Sequence, residues 1–145
     1  MKLETSIHIQ ANKKEVWNIL MDFENYAQWN PFIKSIRGTA NIGMALEIEL
    51  PTMKFKPIVH TYKTEEFFSW KGKLFIRGIF DGHHQFELKE LDEHNCLFIH
   101  KEEFSGILIP LLKKQLNTST LLGFIAMNKS LKEKAENSIN NHNIL

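Results

Sequence analysis

Phe23-Glu24-Asn25-Tyr26-Ala27-Gln28-Trp29-Asn30-Pro31-Phe32 decides how the rest of this chain is read. It follows an amphipathic segment and sets four aromatic residues and a proline within ten positions, a density out of keeping with a plain connector. Pro31 has no backbone N–H and disfavours helical geometry at Asn30, so the chain must leave helix here and become extended. The aromatic rings then need a surface to cover, and the stretch reads as one wall of an interior space.

Upstream, Leu3, Thr5, Ile7 and Ile9 alternate with Glu4, Ser6, His8 and Gln10, the period-two pattern of a strand with one buried face. Asn12 offers an N-cap and Glu15 stands three residues on, a capping-box-like start for a helix through about Met21. Val16, Trp17, Ile19, Leu20 and Phe23 fall on its apolar side, where Trp17 and Phe23 read as core.

Downstream, alternating segments separated by turn residues predict strands over residues 33–40, 44–51, 55–64, 67–76, 79–90 and 96–105. Asn41-Ile42-Gly43, Pro51-Thr52-Met53, Thr64-Glu65-Glu66 and the segment 91–95 punctuate them. After Gly106 the period changes. Leu112, Leu116, Leu121, Phe124, Ile125, Asn128, Leu131 and Ala135 recur at helical steps, with Pro110 acceptable in a first turn. The pattern predicts one helix of roughly 25 to 30 residues. Thr118, Ser119, Thr120 and Gly123 are weak helix formers that mark a bend, and residues 139–145 read as a frayed tail. This order predicts a single α+β domain over residues 1–145. In it, seven curved antiparallel strands wrap around a long C-terminal helix, two short helices follow the first strand, and a cavity lies between sheet and helix.

Composition narrows the function. Eighteen basic residues against 17 acidic ones, with no long run of either sign, exclude a footprint for nucleic acid. The lone cysteine, Cys96, excludes an intramolecular disulfide and reads as a small buried hydrophobe. The longest apolar run, Gly106 to Leu112, is far shorter than the roughly 20 residues that span a bilayer, so no stable membrane insertion and a cytoplasmic location are expected. Eleven phenylalanines favour an aromatic-lined interior. Neither cofactor nor metal is expected, and a monomer or a homodimer is compatible with the sequence.

Together with this element order, residues 23–32 resemble the SRPBCC superfamily, the helix-grip fold of START lipid-transfer domains, birch-pollen-allergen relatives and polyketide cyclases. Val16-Trp17 after Ala11, Trp70-Lys71-Gly72, His84-Gln85-Phe86-Glu87-Leu88, Glu103-Phe104-Ser105-Gly106 and Met127-Asn128-Lys129-Ser130-Leu131-Lys132 match as well, so the resemblance covers nearly the whole chain. It implies a hydrophobic cavity beneath the C-terminal helix. It carries over no catalytic motif residue by residue.

Strand parity names the cavity candidates. Phe80, Gly82, His84, Phe86 and Leu88 share the inward face of the sixth strand. In the seventh, Phe98, His100, Glu102 and Phe104 are assigned inward for their aromatics and the family-like ending. A hairpin loop over residues 91–95 pairs Glu90 with Cys96, which sets His84 opposite Glu102 and Phe86 opposite His100. A buried glutamate needs a partner, and His84 supplies one. The pair can satisfy itself, hold the polar end of a ligand, or move protons, while His83 points the other way and leaves a metal set short of ligands. Trp29 and Phe32 belong to a lid or rim, and Trp70 and the Leu46, Ile48, Leu50 face add walls. From the last helix come Leu121, Phe124 and Asn128, the last either bonded to backbone or touching ligand.

The leading expectation is non-enzymatic binding or transport of a small hydrophobic or amphipathic molecule, such as a lipid, with Glu102, His84 and His100 as its polar anchor. The enzymatic alternative is a polyketide cyclase or dehydratase using His84 and Glu102. A third idea, an interaction module like those of chaperone activators, requires a large exposed apolar patch.

Overall fold

The computed structural model describes residues 1–74 and 76–143. Strand β1 (Lys2–Ile9) leads into helix α1 (Lys13–Met21), where Asn12 caps the first turn by accepting a hydrogen bond from Glu15 N at 2.9 Å. A 3₁₀ turn (Phe23–Asn25) and the short helix α2 (Tyr26–Trp29) follow, and Asn30 turns extended ahead of Pro31 as the proline demands. Asn30 Oδ1 then accepts from the backbone N–H groups of Phe32 and Ile33, and the buried Tyr26 hydroxyl donates to Leu20 O, so the aromatic stretch is pinned at both ends.

Among the described residues there are eight strands where seven are expected. They are β1, β2 (Ser35–Arg37), β3 (Glu47–Glu49), β4 (Lys54–Phe55), β5 (Ile58–Lys63), β6 (Phe67–Leu74), β7 (Phe80–Asp92) and β8 (Asn95–Ser105). They form two antiparallel sheets, one ordered β1-β8-β7-β6-β5 and one ordered β2-β3-β4, touching through a bridge between Ala45 and Ile58. The single strand expected over residues 55–64 is cut at Pro57, which has no N–H to give a ladder and serves instead as acceptor for Leu46 N. The end of the strand expected over 67–76 includes Phe75, outside the described residues.

The C-terminal helix also differs from expectation. It consists of α3 (Ile109–Gln115), a π turn (Leu116–Thr120) and α4 (Leu121–His142). The π turn falls where weak helix formers cluster, and Thr118 Oγ1 there donates to Lys114 O at 2.9 Å. Helix continues through His142, past the point at which fraying is expected, and Ser138 Oγ donates back to Lys134 O. Among the described residues no helix is long and apolar enough to cross a membrane.

The main core lies where α4 rests on the five-stranded sheet. Met127, Leu131 and Ala135 meet Phe68, Phe86, Phe98 and the apolar side of α1, including Val16, Trp17 and Leu20. Cys96 is fully buried there, and burial pushes its thiol up to about 11. A smaller cluster of Leu3, Phe104, Leu116 and Phe124 lies nearer the other end of the sheet.

Candidate functional site

The inward face of the large sheet changes character along its length. Across β6 and β7, Phe68 faces Phe86, Trp70 faces His84, Gly72 faces Gly82, and Leu74 faces Phe80. Across β7 and β8, Leu88 faces Phe98, Phe86 faces His100, His84 faces Glu102, and Gly82 faces Phe104. The β7–β8 register is therefore the one the hairpin loop implies. Large rings cover the Phe86 end, whereas the paired glycines leave the sheet bare at the other.

Over that bare end lies a cavity of about 580 Å³. Its floor includes Trp70, Gly72, Phe80, Gly82 and Phe104, and one side comes from Ile48, Leu50, Met53 and Phe55. Pro31, Phe32 and Ile33 form the lid, while Leu112, Gln115, Leu116, Ser119, Thr120 and Gly123 approach from the helix. Two glycines make this shape possible. A Cβ on Gly82 would sit 2.6 Å from Glu102 Oε1, and one on Gly123 would run into the Phe32 ring at Cδ2, so a side chain at either would displace the group facing it.

Of the candidates from sequence, Phe32, Ile48, Leu50, Trp70, Phe80, Gly82, His84, Glu102 and Phe104 line the cavity. The others do not reach it. Phe86 and Phe98 are fully packed in the main core, where α4 lies on the sheet, and Leu46 is buried in the same core just ahead of β3, its N–H donating to Pro57 O. Trp29 packs against Tyr26 with ring centres 5.1 Å apart, outside the lid that Phe32 forms. Leu121 loses its expected place because the extra residue in the π turn shifts the helical phase, which turns Ser119, Thr120 and Gly123 to the cavity. Phe124, His100 and Asn128 are buried one layer behind it.

That layer forms one continuous hydrogen-bonded chain. Glu102 Oε2 lies 3.0 Å from His84 Nδ1, His84 Nε2 lies 2.8 Å from His100 Nε2, and His100 Nδ1 lies 2.9 Å from Asn128 Oδ1. Asn128 Nδ2 donates to Thr5 Oγ1 at 2.8 Å, and Thr5 Oγ1 donates to His100 O at 3.3 Å. Asn128 thus bonds to side chains where a backbone partner or a ligand was expected. Thr5 was not anticipated, although it is the one polar member of the inward set Leu3, Thr5, Ile7 and Ile9. Gly82 carried a similar clue as an inward position with no side chain.

Burial dominates the electrostatics. Loss of water holds His84 down to about 3, with the positive field of His83 adding to it, and pushes His100 well below its ordinary value. The same desolvation pushes Glu102 up to about 8. Trp70 stacks on His84 at 4.4 Å, and Phe124 stacks on His100 at 3.8 Å, which fixes both imidazole planes. At neutral pH the chain carries one proton between Glu102 and His84 and has no net charge. Such a group can donate or accept a proton, or anchor a polar atom. Among the described residues no cluster of His, Cys, Asp and Glu suits a metal ion.

An antiparallel sheet gripping a C-terminal helix around an apolar cavity defines the helix-grip class. The family model described as polyketide cyclase / dehydrase and lipid transport matches residues 1–134, and the chain belongs to that family. Solved structures agree on the fold. A hypothetical protein from Helicobacter pylori superposes with a TM-score of 0.81 at 14% identity, covering 93% of this chain and 88% of that one. The ZhuI aromatase/cyclase of a Streptomyces species gives 0.78 at 12% identity, with 96% and 95% covered. A START superfamily protein from Mycobacterium smegmatis gives 0.72 at 20% identity, with 94% and 97% covered. No curated protein matches the sequence.

Proposed function

We propose that the protein binds one small, predominantly apolar molecule in its cavity, with Glu102 receiving the molecule's polar end. The observation that carries this reading is the cavity of about 580 Å³, within the range of small-molecule sites, lined by the part-buried Glu102 bonded to the buried His84. The family includes both ligand carriers and cyclases, which is consistent with such a site. Native mass spectrometry of protein purified without detergent tests it. An apolar compound recovered with the wild type and lost in Ser119→Trp, which fills the cavity, is the expected result. Equal recovery from both, or none from either together with no uptake of added apolar compounds, overturns the reading.

One observation favours a second reading, a cyclase or dehydratase. Glu102 is an acid held protonated near neutral pH and wired to an imidazole, the pairing that general acid–base chemistry uses. Turnover of a β-hydroxy ketone that is abolished in Glu102→Gln while binding persists supports it. Binding without turnover rules it out for that substrate class.

A further inference from the structure

The buried chain behind the cavity has a direction. Thr5 gives its hydroxyl proton to the carbonyl of His100, so its oxygen is left to accept from Asn128 Nδ2. That contact fixes the Asn128 amide and aims Oδ1 at His100 Nδ1. A carbonyl oxygen only accepts, so His100 Nδ1 carries the proton, and its Nε2, in a neutral ring, is the acceptor. His84 Nε2–H therefore donates to His100 Nε2. The remaining mobile proton lies between His84 Nδ1 and Glu102 Oε2. Wherever it sits on that bond, Glu102 Oε1 keeps only lone pairs.

Oε1 lies over Gly82 on the cavity wall and has no hydrogen-bond partner among the described residues. A carbonyl or a carboxylate placed there would set lone pairs against lone pairs, and an anion would also lose its water without compensation. Thr52, Gln115, Ser119 and Thr120 also line the cavity and both donate and accept, so they do not discriminate, and Lys73, the one cation in the described lining, is solvent-exposed and keeps its water. We infer that the cavity selects a hydrogen-bond donor, and that its ligand is an alcohol or phenol on a large apolar body, with Thr5, Asn128 and His100 as positioning residues that set this preference through His84. This rests on the cavity-binding reading above and names the ligand class for it.

Four probes on one skeleton test the inference by fluorescence titration: 1-methylpyrene, 1-pyrenemethanol, 1-pyrenecarboxaldehyde and 1-pyrenecarboxylic acid. The alcohol is expected to bind tighter than the aldehyde by about tenfold, and tighter than the carboxylate by about a hundredfold. Binding of 1-methylpyrene alongside an aldehyde equal to or tighter than the alcohol overturns the inference and leaves the cavity reading standing. Failure of all four to bind overturns both. Glu102→Gln adds a sharper arm. If the direction is as derived, the amide donates its N–H to His84 Nδ1, keeps its carbonyl toward the cavity, and leaves the alcohol ahead of the aldehyde. If His84 Nδ1 is instead a fixed donor, the amide turns over and the aldehyde takes the lead. Asn128→Leu removes the acceptor that holds His100, so the alcohol-to-aldehyde ratio falls toward one, with 1-methylpyrene reporting whether the cavity is intact. A ratio unchanged from wild type removes the positioning role.

Discussion

The two ends of the large sheet's inner face share strands, helix and parity, yet one is solid and the other hollow. At the Phe86 and Phe98 end, α4 presents Met127, Leu131 and Ala135 and closes onto the sheet. At the Gly72 and Gly82 end, the π turn presents Ser119 and Thr120, the first turn of α4 presents Gly123, and the space stays open. The polar chain from Thr5 to Glu102 lies on the boundary between them. Side-chain volume on a common face, rather than a change of fold, separates core from cavity.

Substitutions should therefore cost very different amounts at the two ends. Phe86→Ala is expected to destabilise by about 3–5 kcal/mol, read from denaturant midpoints, because its neighbours are fully packed. Phe80→Ala, already against open space, should lose less than about half of that. Equal losses would erase the distinction between the ends.

The boundary has its own signature in pH. Glu102 is raised in the fold to about 8, so between its ordinary value and 8 the folded protein holds a proton that the unfolded chain has released. Stability from this group is complete below the unfolded value and falls as pH rises through 8. His84 and His100 are lowered, so their contribution runs the other way and is regained as pH rises toward their ordinary value near 6.5. Stability should peak near pH 6.5 and fall by about 1–2 kcal/mol by pH 8. In Glu102→Gln the alkaline decline should disappear while the acid limb remains. Persistence of that decline would show that Glu102 is not the group responsible.

Smaller effects sharpen the picture. Gly123→Ala gains about 1 kcal/mol of helix propensity but drives a methyl into Phe32, at a cost of about 1–3 kcal/mol. The net should be a destabilisation under about 2 kcal/mol, with faster exchange of a bound probe as the lid loosens. On the outer face of the sheet, Lys101 Nζ donates to Glu87 at 2.6 Å, and Lys101→Gln should change stability by less than about 1 kcal/mol and leave probe affinity alone.

Much of this was legible in the sequence. The short β7–β8 loop settles the register, and with it the pairing of His84 with Glu102, while Pro31 ends the first helical region where it must. Parity, however, says which face a residue occupies and not how far along that face the helix descends. Phe80, Phe86 and Phe98 therefore read alike, although the last two are core and the first lines the cavity. The walls from Pro51 to Phe55 depend on the break at Pro57 and on the separate β2-β3-β4 sheet, neither of which alternation encodes. Leu121 was misplaced because a π turn breaks the helical period on which its placement relied.

Chemical-shift mapping with 1-pyrenemethanol tests the central claim most directly. Perturbations confined to Trp70, Gly82, Glu102, Ser119 and Gly123, with Cys96, Phe98 and Leu131 unmoved, are the predicted result. Shifts centred on the exposed Leu111, Leu122 and Ile125, or no shifts at saturating probe, would contradict it.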